Sequence, residues 1–153
     1  MHIEIYRGDR NALLHLFDLA DGSRAQIASY LSRGEVLIVR DGDAVIGHLQ
    51  ILKTETAGLF ELKSMAVEEG RQGQGVGRRL VEAAIAHCRI RDGHRLIVST
   101  ATADIGNLRF YQRQGFRMYG IVQDAFRPED GYAEGTLIHG VPLRDQALLE
   151  LPL

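Results

Sequence analysis

The spacing of apolar residues changes period several times along the chain, and each change marks an element. Residues 2–6 alternate and carry Ile3, Ile5 and Tyr6, which predicts a short first strand. Asp9 is a helix-capping residue type, and behind it Leu13, Leu14, Leu16 and Phe17 recur at helical spacing. That helix stops near Asp21-Gly22. Ser23 caps a second helix with Ile27, Tyr30 and Leu31 on one face, and Gly34 ends it. The run Val36-Leu37-Ile38-Val39 predicts a buried strand over 35–40, Asp41-Gly42-Asp43 a hairpin turn, and 44–53 the return strand. Ala57-Gly58 marks the next turn, and 60–67 completes an antiparallel meander.

Beyond a glycine-rich bend the period becomes helical again. Val76, Leu80, Val81, Ala84, Ile85 and Cys88 form one stripe of an amphipathic helix that ends at Asp92-Gly93. Leu96-Ile97-Val98 is a short buried strand. A strand–helix–strand unit of this kind implies a parallel pairing, or a near pairing, with a right-handed crossover. Asp104 caps a short helix carrying Leu108, Phe110 and Tyr111, which stops at Gly115. A strand over 116–122, a loop over 128–141 and a last strand over 143–151 follow. The order β-α-α-β-β-β-α-β-α-β-β describes a mixed α/β domain on one central sheet. The 128–141 loop is long enough to serve as a lid or a homodimer contact.

Composition narrows the class. A chain of 153 residues is expected to fold as one domain, 1–153. A net charge of −2 argues against nucleic acid as a partner. No run approaches the ~18 apolar residues of a membrane span, and the N-terminus lacks a signal core. A single cysteine excludes an internal disulfide framework and points to a reducing cytoplasm. The six histidines show no His-x-His or His-Glu-x-x-His spacing, so no metal site is expected. Cys88 falls on the apolar stripe and reads as a buried structural thiol; His48, inside a strand, reads as packed or surface-lying.

The chemistry gathers in 61–91. A strand, a bend of Arg71-Gln72-Gly73-Gln74-Gly75-Val76-Gly77-Arg78-Arg79 and a helix N-terminus aim free N–H groups and a helix dipole at one point. A phosphate-bearing ligand is the expected occupant. A P-loop requires Lys-Ser/Thr where this chain has Arg78-Arg79. The dinucleotide fingerprint requires Gly-x-Gly-x-x-Gly, whereas Gly73, Gly75 and Gly77 give Gly-x-Gly-x-Gly after a meander.

A third loop fits. Gln72-Gly73-Gln74-Gly75-Val76-Gly77 resembles the Arg/Gln-x-x-Gly-x-Gly/Ala signature of the GNAT superfamily of acyl-CoA-dependent N-acetyltransferases. Glu61-Leu62-Lys63-Ser64-Met65-Ala66-Val67 is similar to that family's fourth strand, and Phe110-Tyr111-Gln112-Arg113-Gln114-Gly115-Phe116 to its Phe-Tyr-x-x-x-Gly-Phe segment. All three stand in family order. The resemblance implies a single-domain GNAT-like α/β fold: a mixed, mostly antiparallel sheet splayed between its fourth and fifth strands and flanked by about four helices. It implies acetyl-CoA as cosubstrate, with the pyrophosphate on the amides of Gln74 to Arg79. Helix-dipole stabilisation of an anion is ~0.3–2 kcal/mol, against about −8 kcal/mol for micromolar binding. A second site for the pantetheine arm is therefore needed. The resemblance puts it in the splay, Met65-Ala66-Val67 against Leu96 to Ser99. There the Met65 N–H would polarise the thioester carbonyl.

By the same resemblance Tyr111 is the acid that protonates the leaving thiolate, and Glu61 the base for a small-molecule or peptide amine. Asn107 replaces the usual small apolar residue and could reach the pantetheine, while Asp104 stands where the family places asparagine and reads as a helix cap. Arg71, Arg78 and Arg79 read either as phosphate contacts or as a solvated face. The activity implied is direct acetyl transfer in a ternary complex. The alternative is an acyl-CoA-binding regulatory or interaction module, and a nucleotide-binding protein is a third option.

Overall fold

The computed structural model describes residues 1–153. The N-terminal strand β1 (His2–Ile5) leads into a 3-10 turn over Arg10–Leu13, helix α1 (Leu14–Ala20) and helix α2 (Arg24–Tyr30). The single helix expected after Asp9 is thus split. Asp9 does cap it, but accepts from the Asn11 N–H only two residues on, which closes a tight turn before the α-helix starts. Ser23 caps α2 as expected, accepting from the Gln26 N–H.

The meander of β2 (Glu35–Asp41), β3 (Ala44–Lys53) and β4 (Leu59–Val67) follows, then α3 (Val76–Ile90) and β5 (Arg95–Ala101). Helix α4 (Ile105–Arg113) and strand β6 (Arg117–Val122) come next. The stretch expected as a loop over 128–141 instead holds a 3-10 turn at Pro128–Asp130 and a two-stranded ribbon, β7 (Leu137–Ile138) with β8 (Val141–Pro142). The last strand, β9, runs over Gln146–Pro152 rather than 143–151. Its start is delayed because Arg144 and Asp145 are engaged in loop contacts: their carbonyls accept from the N–H groups of Phe126 and Thr102. No helix is long and apolar enough to cross a membrane.

Seven strands form one sheet in the order β1-β2-β3-β4-β5-β9-β6, with β4 and β5 parallel and every other pair antiparallel. This is the mixed, mostly antiparallel sheet with four α-helices that the resemblance implies. One face packs on α3: Val76, Leu80, Val81, Ala84 and Cys88 bury against Leu49, Phe60, Leu62, Leu96, Val98 and Leu149. The other face packs on α1 and α2 through Leu16, Phe17, Ile27, Tyr30, Val36 and Ile38. The 3.6-residue stripe of α3 and the period-2 alternation of the strands are thus two halves of one core.

Leu80 is 0% exposed at the centre of that core. Leu80→Ala is expected to lower the unfolding free energy by ~2–5 kcal/mol, read as a shift of the urea midpoint without a change of slope.

Candidate active site

The site is built where two strands stop pairing. The β4–β5 ladder runs from Leu59↔Arg95 to Leu62↔Val98 and ends there. One residue later β4 bulges: Gln50 pairs with Ser64 and Ile51 with Leu62, so Lys63 is the extra residue. Past that point β4 continues along β3 to Val67, and β5 continues along β9 to Ala101, with nothing between them. The opening therefore lies between Met65–Val67 and Ser99–Ala101. The expected partner stretch, Leu96 to Ser99, is shifted, because Leu96, Ile97 and Val98 are still paired to β4.

Alternation decides what the open edge offers. The Glu68 N–H donates to the Ile46 carbonyl on β3. Ala66, two residues back, turns the same way, so Met65 and Val67 direct their backbone groups away from β3 and toward the opening. The Val67 carbonyl is taken by the Gln72 side chain at 3.0 Å, which folds the bend back onto the strand end.

The bend joins left-handed glycines to the start of α3. Gly73 and Gly75 have φ +76° and +81°, and a Cβ at either would meet open space. Their requirement is conformational. Gly77 differs: its Cβ would stand 3.2 Å from the Phe110 ring, so it is small because α4 packs there. Gly75 is the N-cap of α3, and the first helical bond runs from the Arg79 N–H to the Gly75 carbonyl. The N–H groups of Val76, Gly77 and Arg78 precede that bond, and no acidic residue lies in the first turn to compete for them.

Both features open into one groove of about 1080 Å³. Of the residues singled out in the sequence, Met65, Ala66, Val67, Gln72, Gly73, Gly75, Val76, Gly77, Arg78 and Asn107 line it, as does Arg71. Gln74, Arg79, Glu61 and Tyr111 do not. Arg71 is engaged by Asp41, and Arg78 by Glu82 at 2.9 Å. Sequence reasoning missed Arg109 and Arg113, one turn apart on α4, which line the groove without a carboxylate partner, and Leu19, Ala20 and His139 on its far side. The spacing of Arg109 and Arg113 was the available signal.

Asp104 caps α4, accepting from the Asn107 N–H at 3.0 Å, and the Asn107 side chain reaches Thr100 on β5 at 3.3 Å. That bond holds the helix start against the strand that bounds the opening. Tyr111 is 4% exposed, its ring edge-on to Phe110 and Phe116. Burial, followed by the charge of Asp104, raises its pKa and keeps the phenol protonated. Glu61 is half-buried, opposite Leu52 and Ile97. Its neighbours Phe60 and Leu62 face α3, so it points to the α1/α2 face. Cys88, on the buried side of α3, has its pKa pushed up to about 11 by burial and is a neutral thiol. No group of three or more His, Cys, Asp or Glu is placed to hold a metal ion.

His48 is fully buried, its ring tilted against Phe17 with centroids 4.2 Å apart and bonded through Nε2 to the Ser64 hydroxyl at 2.8 Å. Burial, with the His15 charge adding to it, lowers it to about 3. The unfolded chain binds this proton below about pH 6.5 and the folded chain does not, so stability from this group is complete above pH 6.5. It is lost on acidification toward pH 3. His48→Gln is expected to flatten the fall of the urea midpoint across that window. Gly75→Ala is expected to cost ~1–2 kcal/mol of stability through its left-handed φ, although the methyl group has room.

The comparisons with known proteins agree with this geometry. The model of the Acetyltransferase (GNAT) family matches residues 7–116. An uncharacterized N-acetyltransferase YvbK of Bacillus subtilis is 32% identical over 153 residues, covering 100% of this chain and 97% of the relative. A Bacillus subtilis acetyltransferase solved in complex with CoA superposes with a TM-score of 0.88 at 32% identity, over 99% of this chain and 97% of that one. An Elizabethkingia anophelis GNAT family acetyltransferase solved with acetyl-CoA bound gives 0.90 at 28% identity, again over 99% and 97%. The fold, the open strand pair and the glycine bend thus belong together: this chain is a member of the GNAT acetyltransferase family.

Proposed function

We propose that the chain transfers the acetyl group of acetyl-CoA to a primary amine, directly and within a ternary complex. One observation carries the reading: an unpaired strand edge and an anion-binding helix N-terminus share a single groove. The N–H groups at the start of α3 suit a pyrophosphate, and Arg109 and Arg113 suit the remaining phosphate charge. The open side of Met65 and Val67 suits the amides of a pantetheine arm, which would add to the sheet as a strand does. Support comes from the two relatives solved with CoA and acetyl-CoA.

In the reaction, the amine nitrogen attacks the thioester carbonyl, and the Met65 N–H stabilises the oxyanion. The carbon–sulfur bond breaks as the tetrahedral intermediate collapses. Tyr111, held protonated by burial, is the proton source for the departing thiolate, and because it too lies outside the groove lining the proton passes through water. Glu61, also outside the lining, receives the amine's proton through water. Cys88 is inaccessible and neutral, so no acyl-enzyme is formed through it.

The buried position of Tyr111 favours the second reading, an acyl-CoA-binding module with little catalysis. Thiol release from acetyl-CoA over a panel of amines separates the two. Tyr111→Phe is expected to lower kcat about 100-fold while CoA affinity stays nearly intact. An equal loss of CoA affinity would reduce Tyr111 to a packing residue, and no thiol release with any amine would favour the module.

A further inference from the structure

The groove has a wall that the cofactor reading does not use. Leu19 and Ala20, at the end of α1, and His139, in the turn between β7 and β8, line it from the α1/α2 face. The rest of the lining comes from β4, the bend, α3 and α4, the parts suited to CoA. An acceptor has to approach along the Ala20–His139 wall. What positions that wall is therefore a question about the acceptor, and this step rests on the acetyltransferase reading.

Burial fixes the α1 half of the wall, through Leu16 and Phe17, but not the His139 half. No residue from 117 to 146 is buried, so the segment between β6 and β9 has no apolar anchor in the core. Its place is set by polar contacts to the α1–α2 junction. Asp21 is the centre of these. Its Oδ2 accepts from the Tyr30 hydroxyl at 2.8 Å, and its Oδ1 from the Tyr132 hydroxyl at 2.8 Å and the Ser23 N–H at 3.0 Å. Beside it the Ser23 hydroxyl donates to the Asp130 carbonyl at 2.7 Å. Gly131, at φ +92°, lies so close that a Cβ would stand 2.4 Å from Ser23 Oγ. Tyr132 is braced by the edge of the Phe126 ring at 5.1 Å. On the sheet side, the Lys63 ammonium at the β4 bulge sits 4.9 Å over the Tyr30 ring.

We infer that Asp21 and Tyr132 are positioning residues for the acceptor amine: one carboxylate, two tyrosines, fixing both halves of the wall that bounds its approach. Ala20 is the residue before Asp21, and the ribbon carrying His139 follows Tyr132 by a few residues. Opening the clamp would free the ribbon and widen the acceptor side without touching the bend or the start of α3.

Asp21→Asn leaves one accepting oxygen for two hydroxyls, and Tyr132→Phe removes one hydroxyl. Amide hydrogen exchange over 126–140 is expected to rise about tenfold in each variant while exchange in α3 stays unchanged. The acceptor KM is expected to rise about 5- to 20-fold, with the acetyl-CoA KM within about twofold. The double variant should fall short of the sum of the two single ones, because both act on the Asp21–Tyr132 bond. A role in stability alone would lower the melting temperature and leave both KM values where they were. Unchanged exchange, fully additive effects, or both KM values rising together would overturn the proposal. If the wild-type protein acetylated no amine, the acetyltransferase reading would fall, and the exchange measurement would still decide whether the clamp holds the ribbon.

Discussion

Everything at the site depends on a parallel ladder that ends early. Leu62 and Val98 are the last paired residues of β4 and β5, and the two strands diverge beyond them. Backbone N–H and C=O groups left without partners are costly when water cannot reach them, so such an opening survives only under particular conditions. Each strand remains tied along its other edge: β4 to β3 as far as Val67, and β5 to β9 over all of Arg95–Ala101. The break therefore leaves one side of each strand open without loosening either. The bulge at Lys63 lies at the break and adds the local twist that turns β4 aside.

The three glycines show how local and tertiary demands meet at that opening. Gly73 and Gly75 answer to φ alone, Gly77 to the Phe110 ring. Phe110 in turn stacks edge-on against Tyr111, which stacks against Phe116. The glycine bend and the helix carrying the proposed acid are thus one packed unit. A side chain at position 77 would push Phe110, and with it the aromatic column that fixes Tyr111. The two ends of a bound cofactor would be gripped by parts that cannot move independently.

What the sequence could show follows from where each signal resides. The α3 stripe, the bend and the meander are written in neighbouring residues, and the structure reproduces them with small shifts of boundary. The insertion of β9 between β5 and β6 is not, because Leu148, Leu149 and Leu151 would suit any half-buried strand. The ribbon of β7 and β8 is four residues long in all, too short for any periodicity. Position 111 shows a different limit. A motif names the tyrosine but not its depth, and only packing shows it enclosed by two rings. Likewise Asp104 reads correctly as a cap from local chemistry, whereas the Asn107 bond to Thr100 joins elements that the sequence cannot align.

The buried polar residues of β3 give the last constraint. Gln50 donates both amide N–H bonds to the Tyr30 and Arg33 carbonyls, and His48 holds Ser64 across the strands. An all-apolar pair of strands could slip by a residue at modest cost, but a slip here would strand an imidazole and an amide inside the core. Leu49 pairs with Met65, so the register that the His48–Ser64 bond favours is the one that turns Met65 toward the opening. In this way a polar bond on the face remote from α3 favours the register that presents the Met65 N–H at the splay. That makes the His48–Ser64 contact part of the site, although neither residue lines the groove.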